Sequence, residues 1–214
     1  TRKLLSRPGT LYTPLFFHPN ERYLYVKSDH DVDFRGCARV RFDQKEPALQ
    51  WVRTEPDAAV SCSYDDLSDR SAFYMKKQGR DSVELFDGFF RAPVSLPNLN
   101  NQNVRGAYSI PNSSNLILSL GSPQNPGNYY YFDRTRRELR AVTELNQSPI
   151  PASKLGTSFD LYTKSFDGLE IHSIYFAKKE WLTDREKHPV ILWPHGGPDY
   201  AIPHAYLGLF QFWV

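Results

Sequence analysis

Val190 to Tyr200 reads VILWPHGGPDY. An apolar run breaks at Pro194 into His195-Gly196-Gly197-Pro198. A short continuous apolar run is the pattern of a strand covered on both faces, and ligands gather where such strands end. Glycine lets the chain turn there and present a backbone N–H with no Cβ in the way. An N–H aimed at an oxygen that becomes negative in a transition state typically contributes about 10²–10³ in rate. Gly197, Gly196 and His195 are therefore the candidate site residues, as an oxyanion-binding loop. On residue types alone, the same letters also fit a tight turn with an incidental histidine.

Covalent acyl transfer would further need a nucleophile, a base in hydrogen-bond reach and an orienting acid. A serine nucleophile on a strand-to-helix elbow sits in G-x-S-x-G. Gly156-Thr157-Ser158 opens that pattern but continues Phe159-Asp160, so the second glycine is absent, and Ser158 precedes the His-Gly-Gly loop. The expectation is that the triad is missing from this chain. No phosphate loop and no Cys/His metal spacing accompanies the loop either. Cys37 and Cys62 are the only cysteines. They can pair, but they make no disulfide framework, and the favoured reading is buried free thiols.

Composition bounds the rest. The 214 residues suffice for one large or two small domains. Hydrophobic residues at 40% and charged residues at 23% mark a folded globular chain. Thirteen Tyr and 14 Phe against a single Met favour strands. The net charge of +2, with no basic cluster, leaves no electrostatic footprint for nucleic acid or an acidic membrane surface. No run of roughly 18 apolar residues predicts a membrane span.

The elements that must position the loop come in two textures. FFHPNERYLYV, CSYDDLSDRSAFYM and YSIPNSSNLILSL each place turn residues before an aromatic or aliphatic strand. Aligning Pro19, Asp65 and Pro111 gives two equal intervals of about 46 residues, within the repeat length of four-stranded propeller blades. RYLYV and CARVRFD read as strands, as do NLILSLG and the segment after it, with a polar turn at Asp133 to Arg136. Leu85, Phe86, Phe89 and Phe90 fall at helical spacing and suggest a short amphipathic helix. After NQSPIPASKLG the texture changes: a strand pair joined at Asp167-Gly168, a polar loop, the apolar PVILW, and AYLGLFQFWV as the start of a helix. The predicted fold class is mixed, a partial all-β propeller of about three blades over 1–151 followed by the opening strands of an α/β-hydrolase domain over 152–214.

FDLYTKSFDGLEIHSIYF followed by HPVILWPHGGP resembles the entry into the catalytic domain of the prolyl oligopeptidase family of serine peptidases, nearest the acylaminoacyl peptidase branch. PGNYYYFDRTRRELRAVTELN resembles the last propeller blade of that family. The resemblance is strong over 107–214 and blade-like before it. It implies that the Gly197 N–H is an oxyanion-hole donor, that Gly196 allows the turn and Pro198 fixes its exit. It also implies that His195 stands where other branches place a hole-lining tyrosine, so it is not the triad histidine.

The implied activity is hydrolysis of peptide bonds in short peptides through an acyl-enzyme, with no metal or organic cofactor and a peptide as the partner. Ser, Asp and His of the triad would all follow Val214. The chain is thus expected to be a fragment truncated at both ends, since three blades do not close a ring, and to be inactive alone. The alternative is a non-catalytic propeller that serves as a binding platform with a degenerate hydrolase remnant. An esterase with an HGGG-type loop fits less well, because proline replaces the third glycine.

Overall fold

The computed structural model describes residues 5–99, 102–147, 149–197 and 201–214. It holds β1 (Tyr12–Phe17), β2 (Tyr23–Ser28), β3 (Gly36–Arg41), β4 (Leu49–Arg53), β5 (Ala59–Asp65), β6 (Arg70–Lys77), β7 (Arg80–Asp87) and β8 (Ala92–Val94). There follow β9 (Asn103–Ser109), β10 (Leu116–Ser122), β11 (Asn125–Asp133), β12 (Glu138–Ala141), β13 (Thr157–Lys164), β14 (Glu170–Ala177) and the short helix α1 (Gly208–Trp213). Among the described residues no helix is long and apolar enough to cross a membrane.

The repeat read from spacing emerges as three four-stranded antiparallel sheets, each running in chain order: β1 to β4, β5 to β8 and β9 to β12. Pro19 and Pro111 fall in the connection between the first and second strand of their sheets, and Asp65 is the last residue of β5, where the corresponding connection begins. The alternation in β3 places Val40 in the interior and Arg41 outside, as period-two patterning requires. β13 and β14 form a separate two-stranded sheet. Its turn is closed by Gly168 at φ +87° and by Ser165 N–H donating to Leu169 O at 2.8 Å. The Asp167-Gly168 expectation therefore holds, with the left-handed conformation at the glycine.

The contacts divide into two compact units. One comprises 1–77, 81–97 and 108–116; the other comprises 78–80, 98–107 and 117–214. In the first, Tyr25, Cys37, Val60, Cys62 and Phe73 make a core from the facing sides of the first two sheets, extended by Phe16, Phe86, Phe89 and Phe90. Cys37 and Cys62 are joined in a disulfide, which corrects the free-thiol reading. Facing strands of two neighbouring sheets bring the Cα atoms to 5.8 Å, a bridging separation that sequence spacing does not reveal. The helix suggested at Leu85 to Phe90 is also corrected. Leu85 and Phe86 belong to β7 and pair with Val94 and Pro93, and Gly88 and Phe90 take positive φ. The helical spacing arose because a strand and the turn after it both feed one aromatic cluster, in which Phe89 and Phe90 meet at 5.2 Å.

A third difference touches the predicted site. Pro189 to Trp193 forms no strand, and Val190, Ile191, Leu192 and Trp193 are all exposed. An apolar run becomes a strand only where a neighbour completes its hydrogen-bond ladder, and no described strand pairs with this one. Of the elements read from the sequence after 151, the hairpin and the short helix α1 form, the buried strand before the glycine loop does not, and the described residues show no α/β-hydrolase sheet.

Candidate functional site

His195, Gly196 and Gly197 lie together in an exposed bend. The His195 ring nitrogen Nδ1 lies 3.1 Å from Gly196 O. A Cβ at Gly196 would meet nothing within 4 Å. Gly197 has φ +101°, a conformation L side chains rarely adopt, so this position requires glycine on backbone grounds. Trp193 contacts Trp213 and Phe210 at ring separations of 5.6 and 6.2 Å, so α1 supports the run before the loop. Pro198, Asp199 and Tyr200 lie outside the described residues.

The second unit also assembles a polar constellation that the sequence did not announce. Ser158 and Asp160 alternate along β13 and so share one face. In the hairpin register Asp160 is opposite Ile174 and Tyr162 is opposite His172. His172 is thus the diagonal neighbour of Asp160 on that face, within reach of a long side chain, and its Nε2 lies 2.8 Å from Asp160 Oδ1. His204 arrives from the segment before α1. Its Nε2 lies 2.9 Å from the same Oδ1 and its Nδ1 lies 2.6 Å from Ser158 Oγ. Arg80 holds the other carboxylate oxygen at 2.9 Å.

Burial sets the electrostatics. The His204 side chain is 1% exposed and that of Asp160 29%. Desolvation lowers the pKa of His204, only partly offset by its bond to Asp160, so the neutral imidazole is favoured. For Asp160, burial opposes ionisation, but bonds from His172, Arg80 and His204 outweigh it and hold the carboxyl well below the usual carboxylate range. A neutral His204 facing a carboxylate carries its proton on Nε2. Ser158 then donates its hydroxyl to Nδ1.

The backbone of His204 is fixed as well. Its N–H donates to Gly79 O at 2.7 Å, and the Asn103 amide donates to its carbonyl. Gln78 and Gly79 both take positive φ, as a two-residue β6–β7 hairpin turn demands. A Cβ on Gly79 would stand 2.5 Å from Ile202 O, so only glycine lets the His204 segment approach this closely.

The serine, imidazole and carboxylate follow one another as in a nucleophile relay. However, Ser158 lies in an extended strand rather than on an elbow, and the ring is inverted relative to the usual arrangement, in which Nε2 faces serine. The geometry therefore brings Ser158, Asp160, His172, His204 and Arg80 together. The i, i+2 spacing of Ser158 and Asp160 and the Asp-Gly turn are the local signals available for the hairpin half of the constellation. Nothing local signals His204.

No family model matches the chain. A dipeptidyl-peptidase 4 from Giardia intestinalis is 37% identical over 70 residues, which is 33% of this chain and 8% of that protein. Prolyl oligopeptidase B from Galerina marginata, solved with a 25mer macrocyclization substrate, superimposes with a TM-score of 0.64 at 14% identity over 84% of this chain and 25% of that one. A structure from an analysis of two prolyl endopeptidases gives a TM-score of 0.58 at 16% identity over 83% and 26%. The chain spans about a quarter of the length of these solved proteins. At such identity the likeness concerns fold: the arrangement of antiparallel sheets is one that prolyl oligopeptidases share.

Proposed function

We propose that the chain is part of a serine-type peptidase of the prolyl oligopeptidase family, nearest its acylaminoacyl peptidase branch, which hydrolyses short peptides through an acyl-enzyme. The observation that carries this reading is the superposition on prolyl oligopeptidase B over 84% of the chain, in a sequence that also carries SFDGLEI and HGGP. In this reading 1–151 is a partial propeller that restricts access, and 152–214 opens the peptidase domain. The Gly197 N–H donates to the oxyanion of the tetrahedral intermediate, Gly196 permits the turn, and His195 lines the hole. The nucleophile, base and orienting acid belong to other parts of the whole protein, so this chain by itself does not turn over substrate. The positive φ of Gly197 supports the reading, since a donor N–H in such a loop needs a residue without a Cβ.

The test is fluorophosphonate labelling of native source extract, with an antibody to this chain identifying the reactive band. A labelled band much heavier than 24.8 kDa is expected. Gly197→Pro in that whole protein removes the N–H and also cannot keep φ +101°, so kcat should fall by at least about 10²–10³. An immunoreactive band of the chain's own mass without label would instead favour a binding propeller. Label on the short chain would overturn the assignment of roles.

A further inference from the structure

One carboxylate oxygen and two imidazole nitrogens, from Asp160, His172 and His204, lie within 4.8 Å of one another. We propose that these three side chains form a zinc site, with Asp160 Oδ1, His172 Nε2 and His204 Nε2 as ligands and a water in the fourth position on the open side of the hairpin. The site is independent of the peptidase reading, which uses none of these residues.

The donor set and its supports carry the inference. Two nitrogens and one carboxylate oxygen suit zinc and its transition-metal neighbours, whereas magnesium and calcium prefer oxygen alone. Both Nε2 atoms converge on the same oxygen, at 2.8 and 2.9 Å. Zinc bonds of about 2.0–2.2 Å at a tetrahedral angle place ligand atoms about 3.3–3.6 Å apart. An opening of about 0.4–0.8 Å therefore admits the ion. His172, on the hairpin face and tethered only at its ring, can supply that movement by rotation.

The surroundings are those that hold metal-binding imidazoles in place. A ligating histidine ordinarily donates its other ring N–H to an acceptor that fixes its tautomer. Ser158 Oγ occupies that position against His204 Nδ1 at 2.6 Å. Arg80 holds Asp160 by Oδ2 and leaves Oδ1 to the metal. The His204 backbone is pinned by Gly79 and Asn103, so the most buried ligand is also the most rigid.

Zinc takes the Nε2 lone pair, so in the bound state each neutral imidazole carries its proton on Nδ1. The single proton of His204 passes from Nε2 to Nδ1, and the Ser158 hydroxyl turns from donating to Nδ1 to accepting that N–H. The ion would join the β13–β14 hairpin to the segment before α1.

The test uses the full 214-residue chain, stripped with chelator and titrated with Zn²⁺ by calorimetry and with Co²⁺ by visible absorption. Expected are one ion per chain, d–d bands of a low-coordinate nitrogen–oxygen site, and no comparable response to Mg²⁺. His172→Ala, with its fold checked by far-UV circular dichroism, should weaken binding by at least about 100-fold. Ser158→Ala should weaken it by about 10–100-fold, the usual effect of losing an outer partner. His188→Ala, which removes the separate His188–Asp184 pair, should change nothing. Absence of stoichiometric binding, or equal affinity in the folded His172→Ala variant, would overturn the site.

Discussion

Reducing the Cys37–Cys62 disulfide should weaken the first unit by an amount that its topology fixes. The bridge closes a loop of 25 residues, for which the chain-entropy relation gives about 3.5 kcal/mol at 25 °C. Both cysteines are buried, at 0% and 3% exposure, so a reductant reaches them only when the unit opens. The two forms must therefore be prepared separately: reduction in denaturant, removal of denaturant, then urea titration of each by tryptophan fluorescence. Trp51, in β4, reports on this unit.

With a urea slope of about 3 kcal/mol per molar, the reduced form should unfold about 1.2 M earlier, with a slope at least as steep because the unfolded chain is no longer cross-linked. Cys37→Ala/Cys62→Ala should fall at least as far, because it also removes two sulfurs from a packed core. Coincident titration curves would refute the reasoning. So would free thiols in the native oxidised sample, since the bridge itself would then be absent.

Gly79→Ala should cost about 2 kcal/mol or more, combining a left-handed alanine with a Cβ 2.5 Å from Ile202 O. Gly168→Ala, also left-handed at φ +87° but with nothing within 4 Å, should cost only about 1 kcal/mol; equal losses in the two thermal melts would deny the close approach of the His204 segment. In acid, His204 should weaken the metal-free chain early. Its folded pKa is depressed, so the unfolded chain takes up that proton first, and stability falls as pH drops below about 6.5. Asp160 contributes above about pH 3.9 and loses its contribution as pH falls through its lowered folded pKa. The urea midpoint of His204→Gln, followed from pH 7 to 5, should lose this share of the slope, and an unchanged slope would count against the buried neutral imidazole.

Turn chemistry and period-two alternation are local, which is why the three sheets and the β13–β14 hairpin were legible from residues alone. The aligned positions Pro19, Asp65 and Pro111 fell on equivalent turns because each repeat must reverse direction at the same point of its meander. What pairs across sheets was not legible. Cys37 belongs to β3 and Cys62 to β5, and only the stacking of one sheet on the next brings them together. Phe89 and Phe90 misled for the same reason: their burial follows from a shared aromatic cluster, not from one face of a helix.

The same distinction separates the two candidate sites. The glycine loop is recognisable in sequence because backbone conformation demands its residues: Gly197 at φ +101° needs glycine whatever surrounds it. The Asp160 constellation depends instead on side chains whose types are common and whose meeting is set by tertiary packing. Asp160 and His172 can be paired from the hairpin register, but His204 enters only because Gly79 leaves room for the segment that carries it. Pro189 to Trp193 shows the converse. Its letters satisfy every local condition for a buried strand, yet Leu192 is 90% exposed, since a strand also requires a neighbouring ladder. A motif held by φ and ψ can be read one residue at a time, whereas a site held by convergence becomes legible only when the elements that converge are in place.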